Sequence, residues 1–225
     1  MNVNLVSYSK SDGSHLIKST SATELVAYCA RVSNPENQFN KETSDKLIKY
    51  LMKHKHWSPL EMVSVCLEIE TTRDIARQIL RHRSFSFQEF SQRYADPTED
   101  LEFEMREARL QDPKNRQNSV ALGPEQIQLQ LQWADKQKAV VDASLDAYRW
   151  AISNGIAKEQ ARAVLPEGNT VSRMYVNGTL RSWIHYIELR GANGTQQEHM
   201  DIAHAVADVI AEIFPLAEQF KGKEI

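Results

Sequence analysis

Arg81-His82-Arg83, then seven residues, then Ser91, with Arg93 two further on, concentrates three arginines, a histidine and a serine in one short run. Arginine forks donate hydrogen bonds in pairs and keep their charge, so they suit phosphates and carboxylates. A serine hydroxyl and loop N–H groups can complete an anion cradle, and His82 can donate, accept or stack. Phe85, Phe87 and Phe90 are interleaved with these groups. Glu89 lies between the arginines and Ser91, placed to pair with an arginine or accept from a hydroxyl. Gln78 is close to one helical turn before Arg81 and projects near the same face. The chemistry implied is the holding of anionic groups beside flat rings. The plainer reading is a solvated arginine-rich helix end with ordinary ion pairs; the spacing to Ser91 and Arg93 and the three phenylalanines argue against it.

A second polar group lies in the carboxyl half: Arg162, Arg173, Tyr175, Asn177-Gly178-Thr179, Arg181, His185, Arg190 and Gln196. Arg181, His185 and Leu189 recur in four-residue steps along one helix. Arg190 is at that helix's end, where the dipole favours a cation. Taken singly, each fits a surface helix with a stabilising terminal arginine. Several chemistries find no support. His54, His56, His199 and His204 show no HExxH spacing, and His199 and His204 are five apart, off one helical face, so no metal centre is expected. There is no GxGxxG and no P-loop. Cys29 and Cys66 sit in apolar runs, outside any CxxC and away from histidine, and read as free thiols rather than a disulfide or a nucleophile.

These groups need positioning. Leu5–Tyr8 reads as a short strand. Ser19, Thr20 and Ser21 offer N-caps, and Ser21 with Glu24 fits a capping box for a helix carrying Leu25, Val26, Cys29 and Val32 inward. Asn34-Pro35 breaks it. A second helix is expected over 41–53, with Leu47, Ile48, Leu51 and Met52 at helical spacing. Residues 62–72 alternate as a strand, with Val63, Val65, Leu67 and Ile69 on one face. Thr72 then caps a helix expected to run to about Arg83. Arg73, Arg77 and Arg81 stack on its outer side, a like-charge spacing that costs a few tenths of a kcal/mol per pair unless an anion answers it; Asp74 is near enough to relieve Arg77. Glu89–Arg93 is expected as a loop. Residues 96–123 show no clean period and are assigned no role. A long helix spans 124–153 and ends at Asn154-Gly155. A short helix over 158–164, a strand over 170–176, a helix over 180–189 ending at Arg190-Gly191, and a last helix over 196–220 interrupted near Pro215 complete the chain.

The 225 residues fit one domain, 1–225, and their 41% apolar and 25% charged content is that of an ordinary soluble globular protein. Strands that do not alternate as βαβ units favour an α+β fold, a mixed or antiparallel sheet flanked by long helices. A net charge of −3 argues against a general nucleic-acid binder. The amino-terminal residues lack a signal-peptide pattern and no run approaches a membrane span, so a cytoplasmic protein with no membrane partner is expected.

Arg81-His82-Arg83, seven residues, Ser91 matches the signature of the flavin-dependent thymidylate synthases. His56-Trp57-Ser58-Pro59-Leu60-Glu61, Arg162-Ala163-Val164-Leu165-Pro166, and Thr179-Leu180-Arg181 with His185 and Leu189-Arg190 resemble other segments of that family, in the same order, over most of residues 20–220. The resemblance implies a homotetramer with sites shared between subunits. It implies reductive methylation of dUMP to dTMP, with methylenetetrahydrofolate as carbon donor and FAD reduced by NADPH as hydride source. By the same resemblance Gln78, Arg81, Glu89, Ser91, Arg93, Arg162 and Arg190 bind dUMP. Ser58, Arg81, His82, Arg83, Glu89, Thr179, Arg181 and His185 hold FAD, and His56 lies near the flavin. Arg190 is the catalytic candidate, stabilising negative charge on the uracil ring; Ser91 is a binding group, since no base–serine pair is evident. The segment Asn177-Gly178-Thr179-Leu180-Arg181 departs from the commoner Asn-x-Arg of the family. The alternative is a non-catalytic protein that binds RNA or nucleotides with the same arginines. It predicts salt-dependent RNA binding without flavin.

Overall fold

The computed structural model describes residues 1–13 and 21–221. Its centre is a four-stranded antiparallel sheet of order β1-β2-β6-β3, formed by β1 (Asn2–Tyr8), β2 (Ser64–Thr72), β6 (Val171–Thr179) and β3 (Ser86–Glu89). The expected alternation in β2 holds: Val63, Val65, Leu67 and Ile69 are fully buried. β2 and β6 pair along their whole length, from Ser64 opposite Thr179 to Thr72 opposite Val171. This long central ladder holds the start of one site helix and the strand beside another in fixed register.

Helices cover the sheet. They are α1 (Ala22–Ala30), α2 (Ser44–Lys53), α3 (Arg73–Ile79), α7 (Leu180–Arg190) and α8 (Gln197–Ala211). The core joins Val26, Ile48, Leu67, Ile75, Trp183, Ile187, Val206 and Phe214 into one cluster. Trp183 is fully buried and its indole N–H donates to the Val65 carbonyl at 3.0 Å, tying α7 to β2. The chain is thus α+β as expected, and every strand pair in the sheet is antiparallel.

Several local expectations need correction. Ser21 caps α1 by accepting from the Glu24 N–H at 3.1 Å, but Ser19 and Thr20 lie outside the described residues. α1 stops at Ala30, so Val32 falls in the following turn and is exposed instead of facing the core. α2 begins at Ser44, three residues later than expected. α3 ends at Ile79 and not at Arg83. The backbone tightens there, with Arg81 N–H on the Gln78 carbonyl and His82 N–H on that of Ile79. Arg81, His82 and Arg83 therefore occupy a turn, which spares the chain a third arginine in the same helical row. The turn delivers Phe85 against Gly178 and Trp183, and β3 follows where Glu89 was expected to open a loop. Arg77 is answered by Glu167 at 2.6 Å and not by Asp74, which pairs with Arg106 at 2.7 Å.

Residues 96–123 are more ordered than their composition suggests. α4 (Pro97–Asp100) is followed by a hairpin of β4 (Arg109–Gln111) and β5 (Ser119–Ala121). The long helix α5 (Ile127–Ser153) starts after Pro124 and ends before Gly155, whose φ of 76° supplies the expected left-handed stop. α6 (Lys158–Ala161) and a tight turn at Arg162–Val164 lead to β6. A small second core of Tyr148, Ala151, Ala161 and Leu165 holds the end of α5 to this turn.

Candidate active site

Two groups of the expected site residues emerge. The inner one collects at the end of α3, the turn behind it, the end of α7 and the start of α8. Arg190 closes α7 and its Nε–H donates to His82 Nε2 at 3.0 Å. Accepting at Nε2 places the proton of a neutral His82 on Nδ1. Burial, then Arg190, then Arg81 push the His82 pKa down to about 4, so the ring stays neutral beside the guanidinium. With Nε committed to His82, the two terminal nitrogens of Arg190 keep their donors for another partner. His82 also stands edge-on to Tyr186, ring centroids 5.1 Å apart.

Gln78 joins this group through α8. Its Nε2 donates to Gln196 Oε1 at 2.8 Å, and its Oε1 lies 3.2 Å from His199 Nδ1. His199 is fully buried, with Nε2 3.1 Å from the Tyr186 hydroxyl. Its pKa falls to about 3, chiefly through burial and then through Arg190 and His82. Burial raises the Tyr186 pKa, so the phenol keeps its proton. Arg81 and Arg83 are exposed on the turn and make no ion pair among the described residues. Two uncommitted cations beside a neutral ring form a receptive surface for an anion.

A flank of the inner group runs along α7 towards its start. Thr179 caps α7, accepting from the Ser182 N–H at 3.3 Å. The Ser182 hydroxyl in turn donates to the Ser84 carbonyl at 3.3 Å and so pins the arginine turn. Arg181 pairs with Glu61. His185 meets Trp57 edge-on, 4.7 Å between centroids, with its pKa lowered by burial and then by Arg181. Ser58 is exposed at the head of the short turn Ser58–Met62, next to exposed His56. Ser58, Thr179, Arg181, His185 and His56 thus share the neighbourhood of α7 and this turn. Hydroxyls, an arginine and rings on one side, with free Arg81 and Arg83 on the other, fit a flavin dinucleotide, whose pyrophosphate needs cations and whose rings need flat neighbours.

The outer group stands apart. Arg93 Nε is 3.3 Å from a Glu159 carboxylate oxygen, Arg162 Nε donates to the Glu159 carbonyl at 3.3 Å, and Lys158 Nζ donates to the Tyr94 carbonyl at 3.3 Å. Ser91 accepts, at its backbone oxygen, the N–H groups of Tyr94 and Ala95 and so shapes the turn carrying Arg93. Among the described residues no hydrogen bond or ion pair joins this group to His82, Arg190 or Gln78. Glu89 is engaged in the sheet, accepting from Ser172 at 2.8 Å and facing Arg73 at 3.5 Å.

Sequence reasoning missed His199, Tyr186, Glu198 and Arg106. His199 had been weighed only as a metal ligand. Its signal lay elsewhere: it starts the apolar stripe Ile202, Ala203, Val206, Ile210 of α8, where a polar ring needs buried partners. A cleft of about 870 Å³ lies alongside, lined by Arg106, Arg109, Trp133, Asn169 and Glu198 among others, and so draws on the stretch 96–123. Among the described residues no group of three or more His, Cys, Asp or Glu is placed to hold a metal ion. None of their helices is long and apolar enough to cross a membrane.

Comparison with known proteins meets this geometry. Residues 15–216 match the family described as thymidylate synthase complementing protein, Thy1. A probable flavin-dependent thymidylate synthase of Paramecium bursaria Chlorella virus 1 is 52% identical over 194 residues, covering 86% of this chain and 88% of the relative. The flavin-dependent thymidylate synthase of Synechocystis is 50% identical over 192 residues, 85% of each chain. The crystal structure of the UMP/dUMP methylase PolB from Streptomyces cacaoi bound with 5-Br dUMP superposes with a TM-score of 0.76 at 25% identity, over 97% of this chain and 93% of that one. The chain belongs to the flavin-dependent thymidylate synthase family.

Proposed function

We propose that this enzyme reductively methylates dUMP to dTMP, with methylenetetrahydrofolate as the carbon donor and FAD, reduced by NADPH, as its cofactor. The observation that carries the reading is the neutral His82 ring holding the Arg190 guanidinium, with Arg81 and Arg83 unpaired on the same turn and His199, the partner of Gln78, 6.4 Å away. The dUMP ligand follows the structural neighbour, which is a UMP/dUMP methylase seen with a dUMP analogue.

A flavin bound here would supply the hydride. The chain's own residues bind, orient and polarise. Arg190 donates from its terminal nitrogens to the uracil ring and stabilises the negative charge that grows there when the ring attacks carbon. His82 fixes the plane of that guanidinium. Gln78 donates an N–H to the pyrimidine edge. Arg81, His82 and Arg83 with Ser58, Thr179, Arg181, His185, His56 and Glu89 would hold the flavin. Ser91, Arg93 and Arg162 receive the nucleotide phosphate, with Glu89 bracing the strand between the two groups. Ser91 has no base beside it and serves as a hydrogen-bond donor.

No hydrogen bond or ion pair among the described residues joins the outer group to the inner one, and in line with this we further propose a homotetramer of single 1–225 domains with sites shared between chains. The surface of α5 supports assembly. Only Gln137, Val141, Tyr148 and Ala151 of its 27 residues are buried, while Ile127, Leu129, Leu131, Trp133 and Val140 face outward. Free Cys29 and Cys66 suit a reducing cytoplasm. The test is direct. The purified protein should carry or take up FAD, show the oxidised flavin spectrum, and form dTMP only when dUMP, methylenetetrahydrofolate and NADPH are all present. A protein that binds no flavin and releases no tritium from 5-tritiated dUMP would end this reading.

A further inference from the structure

The Gln78–Gln196 contact belongs to a longer hydrogen-bond chain whose direction is set at one end. The Glu198 carboxylate receives Arg106 at 3.1 Å and also pairs with Arg109. Against burial, its own backbone N–H and then Arg109 and Arg106 lower its pKa and hold it ionised, and an ionised carboxylate only accepts. Gln196 Nε2, 2.9 Å from Glu198 Oε2, must therefore be the donor. That turns Gln196 Oε1 towards Gln78, so Gln78 Nε2 must donate across their 2.8 Å contact. Gln78 Oε1 then faces His199 Nδ1 at 3.2 Å, and since a carboxamide oxygen cannot donate, Nδ1 carries the proton. Neutral His199 accepts at Nε2 from the Tyr186 hydroxyl at 3.1 Å. One carboxylate thus dictates both amide orientations and the histidine tautomer. The Gln78 oxygen is turned inward, onto the His199 ring that stands 6.4 Å from His82, and one N–H of its amide remains uncommitted at a half-buried position.

We propose that this one-way chain makes Gln78 a donor-only reader of the pyrimidine edge, so that His199 and Glu198, from behind it, select uracil over cytosine. The inference rests on the dUMP reading above. Uracil presents a carbonyl at C4, which accepts; cytosine presents an amino group, which donates. A carboxamide free to flip would serve either ring. Held by His199, it meets the cytosine amino group donor to donor, and a site built around such a hydrogen bond rejects the mismatched ring strongly. His199 and Glu198 touch no nucleotide in this scheme; they position Gln78. Arg106 and Arg109 give the stretch 96–123 its part in the site, as the anchor of Glu198.

The experiment titrates the flavin-loaded protein with dUMP and with dCMP, reading bound nucleotide by equilibrium dialysis. Wild type should prefer dUMP by about 100-fold or more, and His199→Leu should narrow that ratio by about tenfold or more. His199→Asn, whose side-chain N–H replaces Nδ1–H, should restore most of it; a merely structural role for the ring would not give this pattern. An unchanged ratio in folded His199→Leu overturns the proposal. Should His199→Leu fail to fold, Glu198→Gln decides: a carboxamide there can donate, the chain loses its direction, and the same narrowing is expected, an unchanged ratio again being fatal. Wild type that binds dUMP and dCMP alike overturns this proposal alone. Flavin-loaded wild type that binds neither overturns the dUMP reading and this proposal with it.

Discussion

The arginine turn of the inner group and the Ser91–Arg93 turn of the outer group flank β3 in sequence, yet the two groups are built on opposite terms. Around Gln78, His82, Arg190 and His199 the protein has buried His199, holds two imidazoles neutral and fixes donor directions through neighbouring side chains. The Arg93 and Glu159 side chains remain about half exposed, 54% and 49%, and they and the partly buried Arg162 hold each other through single contacts. An exposed pair of that kind contributes at most about 1 kcal/mol and is readily exchanged for another partner. The inner group is thus organised before any ligand arrives. The outer one is a store of positive charge that a phosphate, or a neighbouring chain, has still to organise. Geometry for chemistry is built into the core, while charge for capture is left on the surface.

The sharpest challenge to this contrast is Arg190→Ala. Removing a preorganised donor from the reacting ring should lower dTMP turnover by about 10²–10³-fold. The thermal midpoint should shift by only a few degrees, since a helix-end arginine contributes little to folding. Arg190→Lys should rescue poorly, because an ammonium cannot bond His82 and the ring in one plane. Near-normal synthesis by folded Arg190→Ala would remove the inner group's assigned role. Next in size is Arg162→Ala. Loss of one charge-assisted phosphate contact, about 1.5–3 kcal/mol, should raise the dUMP KM roughly ten- to hundred-fold and spare kcat. Mixing these two impaired variants then tests how the groups meet. If the outer group serves a neighbour's inner group, hybrid oligomers contain intact pairs and activity recovers. A mixture no more active than its parts would mean that each chain completes its own site.

Much of the inner group was legible because the Arg81-His82-Arg83 run stands out as a pattern, and because the strand β2 and helix α7 carry clean periods. The end of α3 was not legible. Helical periodicity continues through Leu80, and only the packing of Phe85 on Gly178 and Trp183 shows why the chain leaves the helix at Ile79. β3 was missed for a related reason: four residues with mixed polarity read as strand only beside β6. His199 was passed over because a lone histidine has no spacing to betray it, and its partners Gln78 and Tyr186 come from two other helices. The stretch 96–123 hid its role because its arginines find their carboxylate, Glu198, some ninety residues away in sequence.

Gly178 offers a smaller probe of how the inner group is held. A Cβ there would stand 2.6 Å from Phe85 Cε1 and closer still to Cδ1 of that ring, which lies 4.5 Å by centroid from Trp183. Gly178→Ala must therefore push Phe85, and with it the His82–Ser84 turn. It should cost about 1–3 kcal/mol and weaken flavin retention, while leaving Arg93 and Arg162 untouched. Calorimetric melting with a flavin-release assay checks both, and unaltered flavin affinity would uncouple the turn from the aromatic cluster.

The smallest effect separates the groups by pH. His82 is held down to about 4 and His199 to about 3 from an ordinary 6.5, in both cases first by burial. Between those values and 6.5 the unfolded chain binds protons that the folded chain refuses. Their contribution to stability is accordingly complete above about pH 6.5 and drains away as pH falls, with the loss complete only below the folded values. The urea midpoint should therefore be lower at pH 5 than at pH 7.5, and His82→Asn, which retains an acceptor for Arg190, should flatten part of that difference. Arg162→Ala should leave the slope as it was. A wild-type slope in His82→Asn would mean that the imidazole beside Arg190 does not resist protonation, and the inner group would then lose the neutral ring that sets it apart from the outer one.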